Sequence, residues 1–383
     1  MSGSLSSLYG GRGVAIVSGR GGRVYDRAGK EYIDFFNGHG ASLFGHANPV
    51  LRGALDEAAD GVWICGAGFE SPVREELADI LGGLVGGGRA FICNSGTEAM
   101  EAALKLAVTV KPDRHRILAC RRAFHGRTCG ALALTFNPKY KTPFKRLLSN
   151  VEHFNPDELP GLIDSDTIAV FIEPVQGEGG VYPLPPETGR AISEACRKNG
   201  ALLVADEIQT GLGRCGAMLA SGLVGLDPDI VCVAKGLAGG LPIGATVWRE
   251  SLGDFPGHSH GSTYGGNEFT ARVALSALKL TLKEDFPRYA ETLGGELRSK
   301  LASLGGSAIK EIRGLGLLNG AEMDTPSTDV VRALQAKGLL ALSAGPRVVR
   351  FLPSFASTSD DVSQAVEILG EVLESIKNGG VVK

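Results

Sequence analysis

The chain has 383 residues, a length that admits about two or three domains and a sizeable core. Its 39 Lys and Arg against 42 Asp and Glu leave a formal charge of −3, which excludes a general electrostatic binder of nucleic acid or anionic membrane and confines any polyanion site to a local patch. Hydrophobic residues at 43% and charged residues at 21% describe a globular protein, and the 55 glycines, about twice the usual share, announce many turns and close backbone approaches.

Seven cysteines, odd in number and without a CxxC pair, argue against a disulfide framework or a zinc site and suit a reducing cytosol. The start MSGSLSSLYGGRG lacks the basic and apolar segments of a secretion signal. The apolar stretch from Ile230 to Trp248 is broken by Lys235, Pro242 and glycines, so no membrane span is expected and the location expected is cytoplasmic.

In chain order, Gly22–Asp26 and Glu31–Phe35 read as a hairpin around Arg27-Ala28-Gly29-Lys30. From about residue 50 to 250, short apolar runs alternate with helical periods, the pattern of a mostly parallel sheet covered by helices. The expected strands are Ala90–Cys93, Ile117–Cys120, Ile168–Ile172, Ala201–Ala205 and Ile230–Ala234. Most end at a polar cluster: Asn94–Thr97, Arg121–Arg127, Glu173-Pro174, Asp206-Glu207 and Lys235. Ligands of open parallel sheets bind beyond the carboxyl ends of the strands, so these clusters predict one site. After about residue 267 a long helix (Glu268–Lys283), a second helical period (Pro287–Leu304) and short strands around Gly314–Met323 and Val348–Leu352 predict a smaller α+β domain. The expected organisation is an α/β protein: residues 1–45 packing with the small domain, 46–266 forming the large domain, and 267–383 the small one.

Lys235 follows the apolar run Ile-Val-Cys-Val-Ala, where desolvation lowers an ammonium pKa and frees the amine, as a Schiff-base lysine requires. A lysine snorkelling from a strand end to water gives the same pattern. Asp206 ends the strand Ala-Leu-Leu-Val-Ala and could hold a protonated ring nitrogen, although a helix cap would also use it. Lysine and carboxylate together suit pyridoxal phosphate (PLP). Phe91–Leu104 reads as strand, small polar turn and helix, in which Ser95, Gly96 and Thr97 offer donors to a phosphate. Ser95 with Glu98 also fits a capping box, and the two readings can coexist. No GxxxxGK[ST] occurs, and no glycine fingerprint sits between a strand and a helix. His258 and His260 have a metal-like spacing but no carboxylate–histidine cluster beside them, so loop roles and no metal are expected.

The motifs Asn-Ser-Gly-Thr-Glu-Ala (94–99), Phe-His-Gly-Arg-Thr (124–128), Glu-Pro-Val-Gln-Gly-Glu-Gly-Gly-Val (173–181), Asp-Glu-Ile-Gln-Thr-Gly-Leu-Gly-Arg (206–214), Ala-Lys-Gly (234–236), His-Gly-Ser-Thr-Tyr-Gly-Gly-Asn (260–267) and Val-Arg-Phe-Leu-Pro-Ser (349–354) run in one order along nearly the whole chain. In these the sequence resembles the ornithine/acetylornithine branch of the class III, fold-type-I PLP aminotransferases. The resemblance implies Lys235 as the cofactor lysine, Asp206 on the pyridine nitrogen, Gln209 near the ring oxygen, Phe124 stacked on the ring, and Ser95, Gly96 and Thr97 at the phosphate. It implies Thr263 reaching the phosphate of the neighbouring subunit in an obligate homodimer with shared active sites. Arg127 would clamp a substrate carboxylate, Ser262 would add a contact, and Glu178 with Arg350 would form a gate that lets glutamate/2-oxoglutarate and an ω-amine share one pocket. His39 departs from the apolar residue or tyrosine usual beside the entrance.

Within the branch, the opening Leu-Tyr-Gly-Gly-Arg-Gly and the segment Ser-Ala-Gly-Pro-Arg-Val-Val-Arg-Phe-Leu-Pro-Ser most resemble enzymes acting on the amino-group carrier protein LysW in lysine or arginine biosynthesis. Acetylornithine aminotransferase shares every implied catalytic residue, ornithine and 4-aminobutyrate aminotransferases stand further off, and a PLP-binding protein without turnover is the remote alternative. The segment Lys139–Arg146 gathers four cations, which suit either a docking patch for an acidic carrier or an ordinary solvated loop.

Overall fold

Two strands and a turn stand where the sequence places a hairpin, and one more strand precedes them. In the computed structural model, which describes residues 6, 8, 10–66, 68–305 and 308–378, β1 (Ile16–Arg20), β2 (Arg23–Asp26) and β3 (Glu31–Asp34) form an antiparallel meander. Tyr9 of the opening motif and the outermost parts of the expected first and last segments lie outside the described residues. The Asp26 side chain closes the β2–β3 turn by accepting from the amides of Ala28 and Lys30.

The central sheet takes its strands from β4 (Gly88–Cys93), β5 (Arg116–Cys120), β6 (Glu152–Phe154) and β7 (Thr167–Ile172). After the small hairpin of β8 (Val175–Gln176) and β9 (Tyr182–Pro183), it continues with β10 (Leu202–Asp206), β11 (Ile230–Val233) and β12 (Gly244–Arg249), in the order β4-β12-β11-β10-β7-β5-β6. The five expected strands are all there. Those from β11 to β6 run parallel, whereas β12 runs antiparallel to both β4 and β11.

Both faces of this sheet are covered, and the alternation along each strand shows it. Ala169 and Phe171 turn to one face with Ala99, Met100 and Ala103 of the helix Gly96–Val110, while Val170 and Ile172 turn to the other with Ile192 and Cys196 of the helix Pro186–Asn199. That helix ends on Gly200 at φ +66, a left-handed C-cap that glycine adopts without strain.

The helices Glu268–Lys283 and Phe286–Ser303 follow as expected. Strands β13 (Ile309–Leu315), β14 (Leu318–Met323), β15 (Leu339–Leu340), β16 (Leu342–Ser343) and β17 (Val348–Phe351) come next. β13, β14, β17 and β16 make one sheet, and β15 joins β3 in parallel, so the opening meander shares a sheet with the late chain. The largest apolar cluster joins Ile33, Leu43, Leu77, Val231, Ala274 and Phe351 and runs through all three expected segments. None of the helices among the described residues is long and apolar enough to cross a membrane.

Candidate active site

The carboxyl ends of β4, β5, β7, β10 and β11 border one cavity of about 440 Å³. Lys235, Asp206, Gln209, Glu178, Arg127, Phe124 and the turn Ser95–Thr97 all line it. Arg350, Ser262 and Thr263 do not.

Asp206 ends β10 at the cavity floor, 4% exposed. Its Oδ1 accepts from the Ile208 amide at 3.0 Å, and its Oδ2 lies 2.7 Å from His125 Nδ1. Burial alone would lower the His125 pKa, but the hydrogen bond to Asp206 and the charges of Asp206 and Glu173 outweigh it and raise it, so this floor favours a proton on the imidazole. Glu207, beside it, is structural: its carboxylate accepts from the amide and hydroxyl of Ser221 and from Thr210.

Lys235 opens the short turn after β11 with φ +42, a left-handed conformation that a lysine adopts only when its surroundings enforce it. Burial first, and the Arg350 cation second, push its pKa down to about 8 against the opposing pull of Glu178, Asp206 and Glu173. A substantial neutral fraction near physiological pH is what an amine nucleophile needs.

At the other wall, the 15-residue helix Gly96–Val110 leaves the amides of Gly96 and Thr97 without intrahelical acceptors. Its N-terminal end carries positive potential. The expected capping box is met only in half: the Glu98 amide donates to Ser95 Oγ, but the Glu98 carboxylate reaches back to the Ser95 hydroxyl at 3.0 Å and to the Asn94 amide at 2.8 Å, one residue beyond the N-cap amide. Ser95 therefore spends its hydroxyl on the cap. Thr97 Oγ1 accepts from the amides of Arg127 and Thr128, and a Cβ on Gly126 (φ +134) would overlap it, so glycine is required where these two loops meet.

Arg350 lies behind the cavity wall, fully buried, with Nη2 on Glu178 Oε1 at 2.5 Å and Nη1 on Gln209 Oε1 at 3.0 Å. Burial raises the Glu178 pKa, but Arg350 outweighs it and holds the carboxyl below its usual value. Gln209 Nε2 in turn donates to the His39 carbonyl, so the glutamine expected at the ring oxygen is already braced against the gate. His39 itself has φ +58 and packs edge-on to Phe36. Arg127 is exposed at the mouth, its guanidinium 3.6 Å from the centroid of Tyr140. Ser262 Oγ accepts from Asn94 Nδ2 and from the Gly265 amide, one step from the cavity, and Thr263 is exposed. His260 stacks against Phe91 and Phe255 and meets Lys105.

Sequence reasoning passed over Glu173, although its place at the carboxyl end of β7 marked it. It also could not see that Lys141, within the cationic segment, is half-buried and donates to the Ala133 carbonyl, where desolvation lowers its pKa.

An amine on one wall, a carboxylate with its own counterion on the floor, an aromatic ring and a helix N-terminus are the donor set that fits PLP. When bound there, this cofactor supplies an electron sink for the carbanion formed at a substrate amine carbon.

Comparison with known proteins agrees with the geometry. Residues 9–373 match the family Aminotransferase class-III, and the chain belongs to that family of PLP-dependent aminotransferases. It is 38% identical to the [LysW]-aminoadipate semialdehyde/glutamate semialdehyde transaminase of Sulfolobus acidocaldarius, over 98% of this chain and 99% of that protein. It is also 38% identical to the acetylornithine aminotransferase of Bacillus subtilis, over 97% of each. Its fold superposes on the ornithine aminotransferase of Toxoplasma gondii with a TM-score of 0.93 at 32% identity, covering 98% of this chain and 94% of that one.

Proposed function

We propose that this aminotransferase moves an amino group between glutamate/2-oxoglutarate and the terminal semialdehyde of a lysine or ornithine precursor carried on LysW. The observation that carries this reading is at the mouth. A second cavity, of about 430 Å³, shares Phe124 and Glu178 with the first and is lined on its outer side by Asn137, Pro138 and Tyr140. The cationic segment continues from that edge, and Lys139, Lys145 and Arg146 are exposed there. A long arm reaching the amine from an acidic protein docked outside fits such a passage.

Within this reading Lys235 would hold the cofactor and carry at its Nζ the proton taken from the substrate carbon, Asp206 would pair with the ring nitrogen, and the Phe124 ring would support the cofactor. Gly96 and Thr97 hold the phosphate. Arg127 takes a substrate carboxylate in bidentate fashion. Arg350 is held by Glu178 while an ω-amine is bound and turns to the α-carboxylate of glutamate when released.

The active unit of the proposal is a homodimer in the cytoplasm. Thr263 adjoins an apolar surface in which Trp63, Phe69 and Tyr264 are 61%, 73% and 65% exposed. The Trp63 carbonyl accepts from the Phe269 amide, so the two segments that carry these side chains are fastened together. A second subunit would cover this face and bring Thr263 to the partner's phosphate turn. The division at residues 45/46 and 266/267 belongs to the same proposal.

The near-equal likeness to the B. subtilis enzyme favours acetylornithine as the second reading. Amino transfer to carrier-linked and acetylated semialdehydes, assayed side by side with glutamate as donor, decides between them. Higher kcat/KM with the carrier-linked substrate is expected, and a preference for the acetylated one overturns the proposal.

A further inference from the structure

Glu173 follows β7 and is 7% exposed on the cavity wall. Among the described residues no lysine or arginine pairs with it. Instead its Oε1 accepts from the Phe124 amide at 2.9 Å and its Oε2 from the Gly177 amide at 3.1 Å. The first amide belongs to the residue facing the cofactor ring, the second to the residue preceding Glu178 of the gate. The surroundings of Gly177 leave no slack, because a Cβ there would overlap Gln209 Oε1 and stand 3.1 Å from Arg350 Nη1. The same two loops touch again where Gln176 Nε2 donates to the Arg121 carbonyl at 2.7 Å, and where a Cβ on Gly179 would come within 2.7 Å of the Arg122 carbonyl oxygen.

We propose that Glu173 is a positioning residue of the site: its carboxylate straps the Phe124 loop to the Gly177–Glu178 turn, so that the surface supporting the cofactor ring and the pair that sorts substrate carboxylates keep one fixed spacing. This rests on the assignment of the cavity as the PLP site, but the strap itself is a property of the chain. Two backbone donors on separate oxygens favour the ionised form, whose charge is shared by both oxygens. A proton on either oxygen removes that charge, weakens both bonds and loosens both loops. Burial raises the Glu173 pKa to about 7, with Asp206 adding to the rise and His125 opposing it. Lys235 and Cys120 are the remaining titratable groups coupled to it. The strap is therefore fastened above about pH 7 and weakens below.

The test is amide hydrogen exchange of the full-length, PLP-loaded protein, read on peptides covering 121–127 and 174–181. Glu173→Gln removes the charge and keeps one accepting oxygen for two amides, so exchange should rise about tenfold in at least one of the two peptides, the effect of losing a buried charged acceptor, while the peptide covering 96–110 holds. In the wild type, protection of both peptides, corrected for intrinsic rate, should fall together as pH drops through about 7, and in the variant this step should be absent. If Glu173→Gln does not fold, the wild-type pH series decides alone. Unchanged exchange in both peptides of the variant, a wild-type response in only one peptide, or a wild-type profile flat from pH 8 to 6 overturns the strap. Failure of the chain to bind PLP with the exchange pattern intact would instead refute the site assignment and leave the strap standing.

Discussion

The floor and the mouth of the cavity are built on opposite principles. At the floor, Asp206 and His125 are nearly sealed from solvent and hydrogen-bonded to each other, and Lys235 stands close enough to feel the charge of Asp206. At the mouth, Arg127 leans on Tyr140, while Lys139, Lys145 and Arg146 reach into solvent. Groups at the floor gain from a low dielectric, where each charge is worth more and cannot relax. Groups at the mouth are screened and adaptable. On the proposed reading, the chemical step belongs to the first region and carrier docking to the second.

The comparison breaks most sharply at Lys235. Lys235→Ala should lower single-turnover amino transfer by at least about 10⁴-fold, and borohydride trapping of PLP on the wild type followed by peptide mapping should label Lys235. A label on another lysine refutes the assignment. Because its pKa is lowered to about 8, capture of PLP by the stripped chain should accelerate as pH rises through that value and level off above it, since only the neutral amine reacts.

Asp206→Asn tests the floor without removing its volume. The fold should survive, and proton transfer should slow by about 10²–10⁴-fold, because an amide cannot balance a ring cation and His125 loses the carboxylate that raises its pKa. Near-normal rates in stopped-flow single turnovers would count against the role.

Glu178→Ala sits between the two regions. With Arg350 released, efficiency toward glutamate should hold or rise and efficiency toward the ω-amine should fall, a shift of about tenfold or more in their ratio. Equal losses in both half-reactions would reject the gate.

The smallest effect belongs to the mouth. Reversing Lys139, Lys145 and Arg146 to Glu should raise KM for carrier-linked substrate several-fold and flatten its salt dependence, with free amine donors reacting as before. Lys141 is left out because its ammonium is engaged inside. No change toward either substrate would remove this segment as the docking site.

The sequence legibility of the two regions differs for the same physical reason. Strands buried on both faces are unbroken apolar runs, so β5, β7, β10 and β11 stand out, and their polar ends locate the floor residues. β12 does not stand out, since Gly244–Arg249 closes a long apolar stretch in which turn and strand share one composition. β6 is three residues long and carries no period. Glu173 is visible as a polar strand end, but its two partners are backbone amides, one four residues on and one in a loop 49 positions earlier, which no side-chain pattern encodes. Nor can a count of cations show that one of them points inward.

The pairing of β3 with β15 has a consequence for how the protein is made. Leu339 and Leu340 lie about three hundred positions after Ile33 and Asp34, and Arg23 bonds Asp361 across 338 positions. The opening meander therefore leaves the ribosome long before its partners exist, with one edge of β3 unpaired and Ile33 and Phe35 exposed. Contacts this distant close slowly and leave aggregation-prone edges in the interval. A truncation that stops before residue 339 should yield a nascent chain whose first forty residues remain protease-sensitive and dependent on chaperones, however complete the central sheet has become.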